Sequence, residues 1–374
     1  MNPPARSELM ALTSLRGLAA MFVLAHHFMF VLLQDVAKAI PSKLFLKSYL
    51  WVDLFFVLSG FVLAYVYQEH FKKAVVWADY RRFMVARFAR VYPLHIFMLG
   101  LFVILEALQW LLVAQHFPKA SLLATPFTGS ETIFSLLTNF LLLQTLHWNA
   151  YWNQPAWSIS AEWLVYLTVP LLIRHVLLAH TQVHIIFAAA MFIVLIAIEW
   201  HFGNLGLDFA GWPMLLRCFG ECALGVIALR VFQQGGYARL ASGGMALPAL
   251  VANVLLLALP IPAVISVLGF VWLVVCAARV PASSSHYLHW PPLIYLGRIS
   301  FAIYMVHWFV LELLRAAFIL LTGQPVAEFL TLGQQIFVFI AAIPVVLLLA
   351  HCLYNYVEIP CRKKCMMHYN DKTI

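Results

Sequence analysis

Charge is scarce in this chain. Only 10% of its 374 residues are Asp, Glu, Lys or Arg, 64% are hydrophobic, and mean hydropathy is +0.90. A soluble globular domain carries about 25% charged residues, so that class is excluded. Pro/Ser-rich linkers and long polar blocks are missing too, which makes one membrane domain over residues 1–374, with a short tail from about 358, the economical division. Of the 6 cysteines, Cys218, Cys222, Cys276 and Cys352 fall in apolar runs and Cys361 and Cys365 in the tail, a distribution that argues against a disulfide framework. No His/Cys spacing matches a strong metal template, so no metal is expected. The halves show no convincing repeat, which disfavours a transporter built from inverted repeats. Basic residues form no soluble domain with a recognition motif, so nucleic acid is not an expected partner. The first apolar run contains Arg and His and lacks a small-x-small cleavage site after it. It reads as a retained anchor.

What remains is an all-α polytopic pattern. Apolar stretches of about 20 residues predict ten spans, at 15–34, 50–68, 92–115, 161–179, 184–200, 213–231, 246–260, 262–279, 299–320 and 334–356. Ile133 to Leu146 is too short to cross and reads as an outer half-helix or interfacial segment. Alternating the connections places sixteen basic residues on one side, from Arg6 and the block Lys72, Lys73, Arg81, Arg82, Arg87, Arg90 through Arg239 to Lys372. Only Lys38, Lys43, Lys47 and Lys119 remain on the other. That bias predicts cytoplasmic termini, and the net charge of +8 makes anionic lipid headgroups a general partner.

Arg16 and His27 sit within one apolar run, and their eleven-residue separation is almost three helical turns. The two side chains share a face, ~16 Å apart along the axis, while His26 points about a quarter-turn away. Such groups are expensive to bury in a bilayer and mark a functional site by default, the alternative being a pair of helix-packing polar residues. Arg87 and Arg90, at i and i+3, present a doubly cationic fork suited to phosphate, although the positive-inside bias alone also accounts for them. With Arg16 at the same membrane level, they form a credible site for a polyphosphorylated cytoplasmic ligand.

Other polar residues resist a bland reading. Asp53 opens the second span, which also carries Ser59-Gly60, a pair suited to close helix packing. Glu162, at the mouth of the fourth, reads as an N-terminal helix charge, a partner that orients an imidazole, or a hydroxyl ligand. The outer cluster His147, Trp148, Tyr151, Trp152, Asn153, Gln154 and Trp157 fits an interfacial belt, and equally a platform on which a sugar ring stacks. Tyr304 and His307 lie at i and i+3 on the ninth span, and Glu358-Ile-Pro360-Cys-Arg362 reads as a helix stop with a local ion pair.

Taken in order, these segments resemble the acyltransferase 3 family of integral membrane acyltransferases, best known for O-acetylating bacterial surface polysaccharides. The pieces are Leu15-Arg16-Gly17-Leu18-Ala19-Ala20 followed by His27, Asp53-Leu-Phe-Phe-Val-Leu-Ser59-Gly60-Phe61, Arg87-x-x-Arg90-x-Tyr92-Pro93, Trp157-Ser158-Ile-Ser160-Ala-Glu162, Ile299-Ser300-Phe-Ala-Ile-Tyr304-Met-Val-His307 and Glu358-x-Pro360-x-Arg362. Each alone is weak, but their joint order across nearly the whole chain is specific. One departure is Ala161-Glu162-Trp163, where many members carry a second acidic or polar residue after the Glu.

The resemblance implies a ten-helix enzyme of the bacterial cytoplasmic membrane. It would move an acyl group, most simply acetyl, from cytoplasmic acyl-CoA to a sugar hydroxyl of a surface polysaccharide or lipid-linked glycan outside. Arg16, Arg87 and Arg90 would hold the CoA phosphates. His27 and Glu162 would carry the chemistry, and Asp53, Trp157, Ser160, Tyr304 and His307 would meet the substrates. His27 acts there as general base or, in a rival scheme, as an acyl-carrying nucleophile. Two alternatives stand beside this reading: acylation of a small secreted molecule such as a macrolide sugar, and a proton-coupled transporter or flippase routed through Arg16, His27, Asp53 and Glu162.

Overall fold

A computed structural model describes residues 9–34, 40, 42–148, 151–202, 207, 211–234, 240–282 and 284–371. Arg6, Lys38, Arg239 and Lys372, used above for the charge bias, lie outside these residues. Among the described residues every regular element is a helix. Hydrocarbon offers no partner to a backbone N–H or C=O, so helices, which satisfy those groups internally, are the expected solution.

Three long helices start the chain: α1 (Met10–Val31), α2 (Trp51–Phe71) and α3 (Trp77–Ala114). At 38 residues α3 is ~57 Å long, about twice the hydrocarbon thickness, and its first half carries Arg81, Arg82, Arg87 and Arg90. The expected half-helix is α4 (Ile133–Phe140), followed by a 3₁₀ turn at Gln144–Leu146. Its Ile133, Phe134, Leu137 and Phe140 are exposed while Ser135, Thr138 and Asn139 are buried, so the apolar side faces outward and the polar side is pinned to protein. Next come α5 (Trp157–Tyr166) and α6 (Val169–Leu172), which runs into a π-helical turn at Ile173–Leu177.

The rest comprises α7 (Thr181–Phe202), α8 (Trp212–Gln234), α9 (Ala246–Ala258), α10 (Ala263–Ala278), α11 (Pro291–Arg298), α12 (Ser300–Thr322) and α13 (Leu332–Leu353). After a π-helical turn at Tyr354–Glu358, α14 (Ile359–Asp371) continues the line of α13. Ile185, Ile186, Ile193 and Trp200 on α7 are exposed, as a lipid-facing helix requires. The buried centre gathers α1, α2, α8 and α12. At Gly60 of α2 an added Cβ would collide with the Cys222 carbonyl of α8, and at Gly297 of α11 with the Thr13 carbonyl of α1. Those close approaches need glycine.

The span count differs from the sequence expectation. Among the described residues 6 helices are long and apolar enough to cross a membrane, or 7 if the pair around Tyr166 and Val169, bent by 55°, is one span. Pro170, one residue into α6, lies at that bend, and Pro260 and Pro262 leave α9 and α10 with 13 and 16 residues. The expected helix stop at Glu358 is also overturned. The chain stays helical through Pro360, because the π-helical turn just before it absorbs the register change. The short tail expected from about 358 is helical as α14, which packs on α3.

Candidate functional site

Five helices converge on a cavity of about 150 Å³. α1 supplies Arg16, α2 Ser59, α3 Arg87 and Arg90, α5 Ser158, Glu162 and Tyr166, and α12 Ser300, Phe301 and Tyr304. The three arginines that the sequence nominates therefore line one space. The three lie near enough for their charges to act on one another, and together they mark one end of the site.

That end is cationic but partly balanced. Arg90 is ion-paired with Glu358 at the turn before α14, and its guanidinium lies 5.3 Å from the Phe301 ring centroid. Arg87 is ringed by Tyr67, Phe83 and Tyr166 at 5.7, 5.9 and 6.0 Å, and its buried Nε has no hydrogen-bond partner among the described residues. An unpartnered guanidinium N–H in a cavity is a donor awaiting an acceptor. The charge of Glu162 acts on Arg16 and on the Tyr166 hydroxyl, and Ser59 lies beside that hydroxyl.

Apolar side chains form the walls between the two ends, among them Val52, Phe55, Phe56, Val62 and Ile159. The far end is closed by Tyr304, whose hydroxyl donates to the Pro155 carbonyl at 2.9 Å and lies 2.7 Å from the Ser158 hydroxyl. One turn further along α12 stands His307, its ring 5.9 Å from that of Tyr304. His307 Nε2 is 2.9 Å from His27 Nδ1, the two rings stacked at 5.0 Å, and Trp308 meets His27 edge-on at 5.2 Å. His26 turns away, its Nδ1 donating to the Phe45 carbonyl at 2.7 Å.

Several expectations change here. Glu162 stands with Arg16 and Tyr166 at the arginine end, so it does not orient His27; His307 is what touches that ring. His307 has both nitrogens engaged, by His27 and by the Ile303 carbonyl, so neither is left to meet a substrate. Asp53 lies off the cavity wall, fully buried against Arg217, with Arg217 Nε 2.8 Å from its Oδ1. Glu221 completes that group, 3.5 Å from Arg217 Nε. Trp157 lays its ring 5.6 Å from the Arg217 guanidinium and turns its edge to Phe56. Ser160 is buried, donating to the Leu142 carbonyl at 2.8 Å and accepting from Thr145 N–H, and so ties the segment after α4 to α5.

The outer aromatic cluster is likewise largely occupied. Trp152 Nε1 donates to Ser135 Oγ at 2.9 Å and Asn153 Nδ2 to the Met305 carbonyl at 2.9 Å. Tyr151 accepts from Gly211 N–H, and burial raises its pKa, so the hydroxyl keeps its proton. Glu358, Tyr166 and Ser59 are site residues that sequence reasoning missed. The signals were present in Glu358-x-Pro360 and Ser59-Gly60, which read as a helix stop and a packing motif.

Residues 11–351 match the acyltransferase 3 family model, described as an acyltransferase domain. The chain belongs to the acyltransferase 3 family. It is similar to protein 2 in the picA locus of Rhizobium radiobacter, 33% identical over 178 residues that make up 44% of this chain and 81% of that protein. It is also similar to acyltransferase MdmB of Streptomyces mycarofaciens, 35% identical over 175 residues, 46% of this chain and 41% of that protein. No solved structure matches. Membership of this family and the long apolar helices together mark this acyltransferase as a multi-pass membrane protein.

Proposed function

We propose that this family member is an acyl-CoA-dependent O-acyltransferase of the bacterial cytoplasmic membrane. It moves an acyl group, acetyl in the simplest case, to a sugar hydroxyl of a surface polysaccharide or lipid-linked glycan presented on the outer side. The observation that carries the reading is one cavity with Arg16, Arg87 and Arg90 at one end and Tyr304, one ring short of the His307–His27 pair, at the other. Guanidinium forks suit a diphosphate and a ribose phosphate. The apolar stretch suits the slender arm between phosphate and thioester, and three helical turns, ~16 Å, match an extended pantetheine in order of magnitude.

The chemistry then balances within the site. His27 takes the proton of the acceptor hydroxyl as that oxygen bonds to the thioester carbon. The carbon–sulfur bond breaks, and the departing thiolate receives the proton from His27. No proton is consumed overall, so the cycle needs no proton exchange with bulk water. Both termini and the arginine end are cytoplasmic in this scheme, in line with the sixteen-to-four basic bias.

Deletion of the gene, followed by profiling of the strain's surface glycans, tests the assignment of the acceptor. One class of ester should disappear and return on complementation. Unchanged glycans with a changed small-molecule secretome would redirect the reading to a small acceptor.

A further inference from the structure

We infer that His307 is a positioning residue, fixing which nitrogen of His27 acts as the base; the inference rests on the acyl-transfer reading above. Nδ1 of His307 lies 3.1 Å from the carbonyl oxygen of Ile303, one turn earlier on α12. A carbonyl only accepts, so this nitrogen carries hydrogen and donates. In a neutral imidazole the other nitrogen then holds the lone pair. His307 Nε2 therefore accepts across the 2.9 Å contact, and the hydrogen in that contact belongs to His27 Nδ1.

Two hydrogen bonds in series thus leave the lone pair of His27 on Nε2. Among the described residues no hydrogen bond occupies that atom, so it is free to take a proton. If His307 donated instead, His27 would carry its hydrogen on Nε2 and could not act as a base. His307 is suited to the role because it is fully buried and its ring is held by the bond to its own helix. As Nε2 of His27 takes the hydroxyl proton, the lone pair of His307 stabilises the imidazolium through Nδ1–H. When that proton passes to the leaving thiolate, the pair returns to its starting state.

Kinetics of detergent-purified full-length variants test this. His307→Leu fills the space but removes the acceptor, whereas the amide oxygen of His307→Gln can still receive the His27 Nδ1 hydrogen. We expect His307→Leu to lose about a hundredfold in kcat and His307→Gln to stay within about tenfold of wild type. Acyl-CoA binding, which a misfolded cavity would lose, should be retained by both. The double variant His27→Ala/His307→Leu should be no slower than His27→Ala alone. Equal losses in the Leu and Gln variants would overturn the inference, as would a raised acceptor KM at wild-type kcat. Wild-type transfer by His27→Ala would instead overturn the reading on which the inference rests, whatever His307 does.

Discussion

Arg90 of α3 is ion-paired with Glu358 at the turn that joins α13 to α14, so one of the three cavity arginines already has a counter-ion inside the protein. Glu358 is 2% exposed, and removing it leaves a guanidinium largely out of water with no carboxylate beside it. We expect Glu358→Ala to lower the thermal midpoint, because half a buried ion pair is worse than none. Added CoA should raise that midpoint more in the variant than in wild type, since a phosphate replaces the lost charge. Equal CoA-induced shifts, measured by differential scanning fluorimetry in detergent, would count against phosphate binding at Arg90.

Arg87 has an N–H to spare and Arg90 is shared with Glu358, so the two should differ in weight. Arg87→Ala should weaken acyl-CoA binding by ~1.5–3 kcal/mol, roughly ten- to a hundredfold in Kd, as expected for a lost charge-assisted contact. Arg90→Ala should act in the same direction, and lysine should rescue either only partly, because an ammonium lacks the planar fork. Unchanged donor affinity in both alanine variants by isothermal titration contradicts a phosphate role.

Glu162 stands among the arginines, so its charge should bear on the donor and not on the acceptor. Glu162→Gln removes a negative group that competes with phosphate for Arg16, and acyl-CoA should bind more tightly while acceptor KM is unchanged. A weaker acceptor with an unchanged donor constant would return Glu162 to the acceptor side.

Asp53 and Arg217 are both fully buried, and the bond between them links α2 to α8. Arg217→Ala, which leaves Asp53 and Glu221 buried without a cation, should destabilise the fold by about 3–5 kcal/mol, and Asp53→Ala by less, because Glu221 stays 3.5 Å from Arg217. The readout is loss of the monodisperse peak in size-exclusion chromatography. A well-folded Asp53→Ala protein with a raised acceptor KM would show that Asp53 serves the substrate.

The Arg16–His27 relationship was legible in the sequence because one helix fixes it, and a period of 3.6 residues is all the calculation needs. Arg87 and Arg90 were legible for the same reason. His307 reaches His27 across 280 positions, Arg217 reaches Asp53 across 164, and Glu358 meets Arg90 from another helix. Each of those pairs depends on how helices assemble, which no local pattern encodes. The half-helix near Ile133 was visible in its length, but the pinning roles of Ser160 and Trp152 were not, since a buried hydroxyl or indole looks the same in sequence whether it holds a loop or a sugar. The count of ten spans is not reached among the described residues, since α9 and α10, which the sequence already separates at Pro260 and Pro262, have only 13 and 16 residues and the segment around Tyr166 and Val169 is bent by 55°.

Transfer of labelled acetyl from acetyl-CoA to glycan acceptor by purified protein, wild type against His27→Ala, tests the central claim most directly. The account predicts label in the acceptor and free CoA thiol with the wild type, and neither with His27→Ala even though that variant still binds acetyl-CoA. Equal transfer by the two proteins, or no CoA-dependent transfer by the wild type with native acceptor, contradicts it.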